Sequence, residues 1–260
     1  MEGIVINIRF NNIIITGASN GLGNALAKRY ADSGVHLGLI GRHQDRLNQT
    51  AKYCRDKGAI VESVSMDIRD RENLIDWILR FDSNFPVDLI IANAGVMYSS
   101  VPGHPTEQKI IIDETFDVNF NSVINTVNPM LERMQKRKHG SAVIISSLSA
   151  YHGIPTFPAY SASKVAIKAY YEAIRGIYAR DNVNITIVCP SYVNTDMTKT
   201  LNINKFMLTS IDKAVDKIIT GIEKRKPLIS FPWFHTLGIS LLRLIPDRIA
   251  DRILLMVLGK

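Results

Sequence analysis

Apolar runs of four to seven residues recur along the chain, and a stretch with helical periodicity separates each from the next. Strands are expected at Asn11–Thr16, Val35–Ile40, Ile60–Ser65, Val87–Ala92, Ser141–Ser146, Val183–Cys189 and Leu228–Phe231. Helices are expected after the first strand through Ser33, then over Asp45–Lys57, Arg71–Phe81, Glu107–Lys136, Ala159–Arg180 and Ser210–Lys224. This order points to a parallel sheet wound with helices on both faces. The strands are apolar throughout rather than alternating, as burial on both faces requires. No Pro/Ser-rich linker or internal repeat divides the 260 residues, so one α/β domain is expected over residues 1–232, with 233–260 as a helical extension of it. In such sheets ligands bind beyond the C-terminal strand ends, which directs attention to the residues just after each strand.

Composition narrows the class. A hydrophobic fraction of 46% and a charged fraction of 21% are ordinary for a globular protein. Two cysteines, Cys54 and Cys189, make no disulfide framework, and a cytoplasmic setting is expected. The net charge of +7 is dispersed, and the densest run, Lys136-Arg137-Lys138-His139, is short. With no aromatic-basic stripe, nucleic acid is not an expected partner. The six histidines show no ligand spacing, so no metal is expected. The N-terminal MEGIVINIRF carries Glu2 and lacks a long apolar core, and is not expected to be a signal peptide. The stretch from Trp233 to Leu258 comes nearest to a membrane span, but charges and Pro246 break it into one or two amphipathic helices.

After the first strand comes Thr16-Gly17-Ala18-Ser19-Asn20-Gly21-Leu22-Gly23. Glycines at a strand-to-helix turn let backbone approach a phosphate closely, and the helix then offers free N–H groups to the anion. The spacing is G-x-x-x-G-x-G, so the cluster gains its meaning from its position. The second strand runs into Gly41-Arg42 with no acid there to bond a ribose 2′-hydroxyl. A guanidinium suits a 2′-phosphate, which favours NADP(H) while leaving NAD(H) open. Arg46, one turn later, reads as a solvent-facing helix charge.

Tyr160-Ser161-Ala162-Ser163-Lys164 sets a phenol and an ammonium four residues apart, on one helix face. A nearby ammonium is expected to lower the phenol pKa and make the pair a general acid/base. Tyr53 and Lys57 repeat the spacing, but on a helix far from the expected ligand edge, and read as a surface pair. Tyr160 differs in having Ser147 thirteen residues earlier, at the end of the fifth strand. Ser146 and Ser149 are its nearest competitors.

With these pieces in order, the chain resembles the short-chain dehydrogenase/reductase family from about Asn11 to Phe231. The resemblance rests on TGASNGLG (16–23), Asp67-Ile68, Asn93-Ala94-Gly95, Asn119, Ser147, YSASK (160–164), and Pro190 with Val193 and Thr195. It implies a Rossmann-like single domain of about seven strands and an oxidoreductase moving hydride between a nicotinamide and a carbonyl or alcohol. By the same resemblance Tyr160 exchanges a proton with the substrate oxygen, Lys164 tunes Tyr160 and holds the ribose, and Ser147 bonds that oxygen. Asn119 supports a water relay behind Lys164. Gly17, Ser19, Asn20, Gly21, Leu22, Gly23, Arg42, Asp67, Ile68, Asn93, Ala94, Gly95, Pro190, Val193 and Thr195 contact or frame the cofactor. The family often has Pro-Gly where this chain has Pro190-Ser191, a change expected to stiffen the loop over the nicotinamide.

Substrate information is thin. Asp196–Thr209 is the expected lid, and Met197, Leu201, Ile203, Phe206, Met207 and Leu208, with Tyr151 and His152, suggest an apolar, lipid-like substrate. The tail has three readings open: packing over the pocket, a subunit contact in a homo-oligomer, or peripheral contact with a membrane through 233–260. A non-catalytic dinucleotide-binding sensor or scaffold is the competing function. A serine hydrolase is not expected, because Ser147 has no G-x-S-x-G elbow.

Overall fold

The computed structural model describes residues 9–99, 106–199, 201 and 204–257. Ile203 of the expected lid and the first eight residues lie outside them. The chain alternates β1 (Asn12–Thr16), α1 (Gly21–Tyr30), β2 (His36–Gly41), α2 (Gln44–Asp56), β3 (Ile60–Ser65), α3 (Arg71–Asn84) and β4 (Leu89–Ala92). It continues through α4 (Lys109–Phe116), α5 (Ser122–Arg137), β5 (Gly140–Ile145), α6 (Pro158–Ala179), β6 (Val183–Pro190), α7 (Asp196–Lys199), α8 (Ile211–Glu223) and β7 (Leu228–Phe231). The tail forms α9 (Trp233–Leu242) and α10 (Asp247–Val257).

The seven strands pair in parallel in the order β3-β2-β1-β4-β5-β6-β7. The order reverses direction between β1 and β4, the crevice where such sheets take their ligands. The unbroken apolar runs split by residue parity. Ile13 and Ile15 enter one core with Leu22 and Leu26 of α1 and Val215 and Ile218 of α8. Ile14 and Ile90 enter the other with Leu74 of α3, Val127 of α5 and Ile167 of α6. Successive strand side chains point to opposite faces, so a two-sided sheet needs both sets apolar. Gly38 in β2 serves the second core: a Cβ there would lie 3.0 Å from Trp77 and 3.1 Å from Phe81.

Strand and helix ends differ from the expected ones by a few residues. One expected helix is not continuous. Glu107–Lys136 resolves into α4, a π-helical turn over Asp117–Asn121, and α5. The apolar periodicity carries on across the break, because an inserted wide turn shifts the phase without removing apolar residues. Such turns concentrate at functional positions, and this one holds Asn119.

Candidate active site

Along the C-terminal edge of the sheet runs a continuous cavity of about 670 Å³. At one end is the glycine turn. Gly17 and Gly21 have φ of +70° and +54°, a region that favours glycine. A Cβ on Gly17 would sit 2.7 Å from Asn93 Nδ2 and 2.9 Å from Ala94 Cα, and one on Gly23 would collide with Asn93 and the Gly17 carbonyl. The turn therefore closes tightly on the end of β4. Asn93 fastens it, with its Nδ2 donating to the Thr16 carbonyl at 3.0 Å, while the Asn93 and Ala94 N–H groups both donate to Thr16 Oγ1 at 3.1 Å. Asn20 caps α1 by accepting from the Gly21 N–H at 2.8 Å, and the first turn of α1 holds no acid. The dipole end of α1 thus faces the cavity with no acid of its own first turn to compete for it.

Arg42, His43 and Arg46 border the cavity beyond β2, opposite Asp67 and Ile68. Among the described residues Arg42 makes no ion pair, whereas the Asp67 carboxylate is held by Arg69 at 2.6 Å. The hydrogen bond from Arg69 is the main cause that keeps the Asp67 carboxyl below its usual range. Arg46 is exposed, as expected of a solvent-facing helix charge. It also borders the cavity and stands 3.9 Å from Asp196, whose carboxylate accepts from Asn20 Nδ2 at 2.6 Å and from Lys199 Nζ at 2.5 Å. Arg42 and Arg46, four residues apart, both border the cavity while remaining exposed.

At the other end β5 and α6 meet. Ser146 faces the core and donates to the Lys164 carbonyl at 2.9 Å, so strand alternation turns Ser147 into the cavity. Ser147 Oγ accepts the Ser149 N–H at 3.1 Å and lies near enough to the Tyr160 hydroxyl to favour its phenolate. Lys164 Nζ donates to the Ile145 carbonyl at 2.9 Å and lies 5.7 Å from the Tyr160 ring centre. Gly95 makes room for this: a Cβ there would stand 3.1 Å from Asn119 Oδ1 and 3.5 Å from Lys164 Nζ.

The electrostatics differ from expectation in one respect. Burial pushes the Tyr160 phenol up to about 12, against the opposing effect of the Ser147 hydroxyl. Burial also brings the Lys164 ammonium down to about 8. The expected lowering of Tyr160 by Lys164 is absent, since desolvation acts on both groups and outweighs their coupling.

Asn119 and Gly23 stand behind the wall rather than on it. Asn119 is fully buried, exchanges two 2.9 Å hydrogen bonds with the Val96 backbone and donates to Ser163 Oγ at 3.1 Å. Ser163 in turn donates to the Tyr160 carbonyl at 2.7 Å. Every other residue expected at the site, from Gly17 to Thr195, borders the cavity. Tyr53 and Lys57 do not; Lys57 Nζ lies over the exposed Tyr53 ring at 5.9 Å.

The expected substrate wall needs correction. Tyr151 and His152 do not border the cavity, and Ile154 and Phe157 do. The short 3-10 turn at Leu148–Ala150 carries Tyr151 away, toward Lys168 at 5.2 Å. Of the lid's apolar residues Met197 and Met207 face inward, while Phe206 is 92% exposed. The tail supplies what sequence reading missed. Phe234, His235, Gly238, Ile239 and Leu242 of α9, and Ile253 and Leu254 of α10, close one side. The i, i+3, i+4, i+7 spacing of 235, 238, 239 and 242 was visible, but α9 is apolar on its other face too, so periodicity did not single this one out. His235 Nδ1 meets Ser191 Oγ at 2.7 Å, tying α9 to the loop after β6 at the position where the family often has glycine.

The sequence profile described as short chain dehydrogenase matches residues 11–205. The chain belongs to the short-chain dehydrogenase family. It is 29% identical over 247 residues to an uncharacterized oxidoreductase of Myxococcus xanthus, covering 93% of this chain and 95% of that one. It is 32% identical over 248 residues to an 11-beta-hydroxysteroid dehydrogenase-like protein of Arabidopsis thaliana, covering 90% and 79%. Its fold is similar to that of a short-chain dehydrogenase from Sphingobium yanoikuyae solved with NADPH, with a TM-score of 0.78, 22% identity, and 92% and 99% of the two chains covered. Membership in this family makes the protein an oxidoreductase.

Proposed function

We propose that the protein is an NADP(H)-dependent reductase or dehydrogenase of an apolar carbonyl or alcohol, with Tyr160 as its general acid/base. The observation that carries this reading is the convergence of Tyr160, Ser147 and Lys164 on the cavity that the glycine turn opens. The residues present fit a dinucleotide: a Cβ at Gly17 would meet Asn93 and Ala94, Gly21 holds a positive φ, and α1 presents its N-terminus there. The cofactor, when bound, supplies or accepts hydride. Tyr160 gives a proton to the substrate oxygen in reduction and takes one in oxidation. Ser147 holds that oxygen by a hydrogen bond, and Lys164 provides positive charge near the phenol and a donor for the ribose. Asn119 positions α6 through Ser163 and keeps the buried route behind Lys164 polar. Arg42, aided by Arg46, favours the 2′-phosphate, so NADP(H) is preferred over NAD(H).

The lining of Met197, Met207, Phe157, Ile239 and Leu254 supports an apolar substrate. The test is a fluorescence titration with NADPH and NADH, followed by turnover against ketones and alcohols of increasing chain length. Tighter NADPH binding and turnover rising with chain length are expected. Arg42→Ala should cost NADPH about tenfold or more in affinity and NADH little. Equal affinities in the parent, or equal losses in the variant, remove the cofactor assignment.

A further inference from the structure

Helix α9 has two apolar faces, and only one is used. At about 100° per residue, Trp233, Leu237 and Leu241 form a stripe flanking the cavity face of His235, Gly238, Ile239 and Leu242, with Phe234 of the cavity wall at the border between them. Trp233 is 72% exposed, and Leu237 and Leu241 are about half exposed. Leu244, just past the helix, is 79% exposed. Helix α10 repeats the plan. Ala250 and Leu254 are buried and Ile253 faces the cavity, while Ile249 and Met256, on the flank next to Ile253, are 50% and 72% exposed. Both helices turn their inner faces to the same cavity, so both outer faces point away from it. Scattered exposed apolar residues mean little, but an exposed apolar stripe along α9, with Leu244 after it and Ile249 and Met256 on α10 also exposed, calls for a partner.

The charges choose the partner. Arg248 and Arg252 lie in the middle of the exposed arc of α10, between Leu255 on one side and Met256 and Ile249 on the other, with Asp251 at the edge of that arc and Asp247 beside the buried Leu254. Arg243 is exposed in the turn between the helices. A two-fold contact of this face with itself would bring Arg243, Arg248 and Arg252 near their own copies, with Asp251 alone as counter-charge on the exposed arc of α10. An anionic lipid surface offers the opposite: apolar depth for the stripe, phosphate for the guanidinium groups, and an interface that tryptophan favours. Arginine stems can lie along the apolar face with their heads in the headgroups. Among the described residues no helix is long and apolar enough to cross a membrane. The ten residues of α9 span roughly 15 Å, half of a hydrocarbon core.

From this we infer that the outer faces of α9 and α10 dock the protein on an anionic bilayer, with the helices lying in its surface. Docking sets the cavity wall formed by these helices next to the lipid. Entry of an apolar ketone or alcohol from the membrane then rests on the function proposed above; the docking itself does not.

The experiment is flotation of the full-length chain with vesicles of phosphatidylcholine alone, or with about one third phosphatidylglycerol. The chain should float with the anionic vesicles, lose most of that binding in high salt, and show a blue shift of tryptophan emission. Trp77 is only 6% exposed, so Trp233 dominates that shift. The triple variant Trp233→Ser, Leu237→Ser, Leu241→Ser should lose at least about tenfold in partitioning, with NADPH binding and melting temperature unchanged. The double variant Arg248→Ala, Arg252→Ala, which keeps the stripe, should lose the preference for anionic vesicles. Absence of flotation, or flotation unaffected in the double variant, overturns the proposal. So does a lipid-free dimer that the triple variant dissociates, since a second copy would then cover the face. A chain that floats but turns over no substrate leaves the docking standing and refutes the redox reading alone.

Discussion

Lys164 is a costly residue for the fold. It is 3% exposed, and its ammonium has one backbone carbonyl as partner, Ile145 at 2.9 Å. Its pKa lies near 8 in the folded chain, against 10.5 as its ordinary value. Between those values the unfolded chain binds the extra proton, so stability rises with pH across that window; below about 8 the cost of the buried charge is fully present. Lys164→Met should therefore raise the melting temperature at pH 7, by the equivalent of about 1–3 kcal/mol, and abolish turnover. Thermal scans at pH 7 and pH 10 check this: the gain should shrink at the higher pH. An unchanged or lower melting temperature at pH 7 contradicts the buried-charge account. Tyr160→Phe tests the chemistry instead. It removes the proposed proton donor while keeping the ring in place, so kcat should fall by about 10²–10⁴-fold with NADPH affinity nearly unchanged. Turnover at the parent rate would refute the assignment.

Elements are joined by polar pins as well as apolar faces. Asp82, near the end of α3, is 1% exposed at its side chain and accepts from Arg133 and Arg137 of α5 at 2.9 Å each. Its other oxygen accepts the Val87 N–H at 2.8 Å, just before β4. Burial alone would raise this carboxyl, but the Arg137, Val87 and Arg133 hydrogen bonds outweigh it and hold it low. The stability it contributes is present above the ordinary carboxylate range and is lost as pH falls through the depressed folded value. Asp82→Ala strands two half-buried guanidinium groups and a buried N–H, and should cost about 3 kcal/mol or more. Chemical denaturation at pH 7 measures that loss. Asp82→Asn should flatten the acid limb of the stability curve, and an unaltered limb would assign that limb to other carboxyls.

The whole molecule places two halves of a site at the two ends of one crevice. The loop after β6 folds back so that Asp196 reaches Asn20 at 2.6 Å and Thr195 lies against Gly21. Ligand that bridges these parts favours the folded state by mass action. NADPH at a hundredfold excess over its Kd should add about 2.7 kcal/mol, or roughly 5–10 °C in Tm for a chain of this size. NADH at the same concentration should add clearly less, because Arg42 and Arg46 then have no 2′-phosphate to meet. Equal shifts in a melting experiment would remove the predicted preference.

Local chemistry made much of this legible in advance. Strand parity, a glycine turn and Asp/Asn caps act over a few residues, so β1 to β7 and the cradle at Gly17–Gly21 could be read from order and spacing. The Tyr160–Lys164 pair could be read too, because one helical turn sets both residues on one face and Ser147 distinguishes it from Tyr53–Lys57. What the chain order left undecided depends on how distant segments meet. Burial overrode the expected effect of Lys164 on Tyr160, the fold set the exposed Arg46 at the border of the cavity, and a π turn split the long helix at Asn119. The tail is the clearest case. Both faces of α9 are apolar in sequence, and only packing against the loop after β6, through Ser191 and His235, decided which face turns inward and which is left to meet something else.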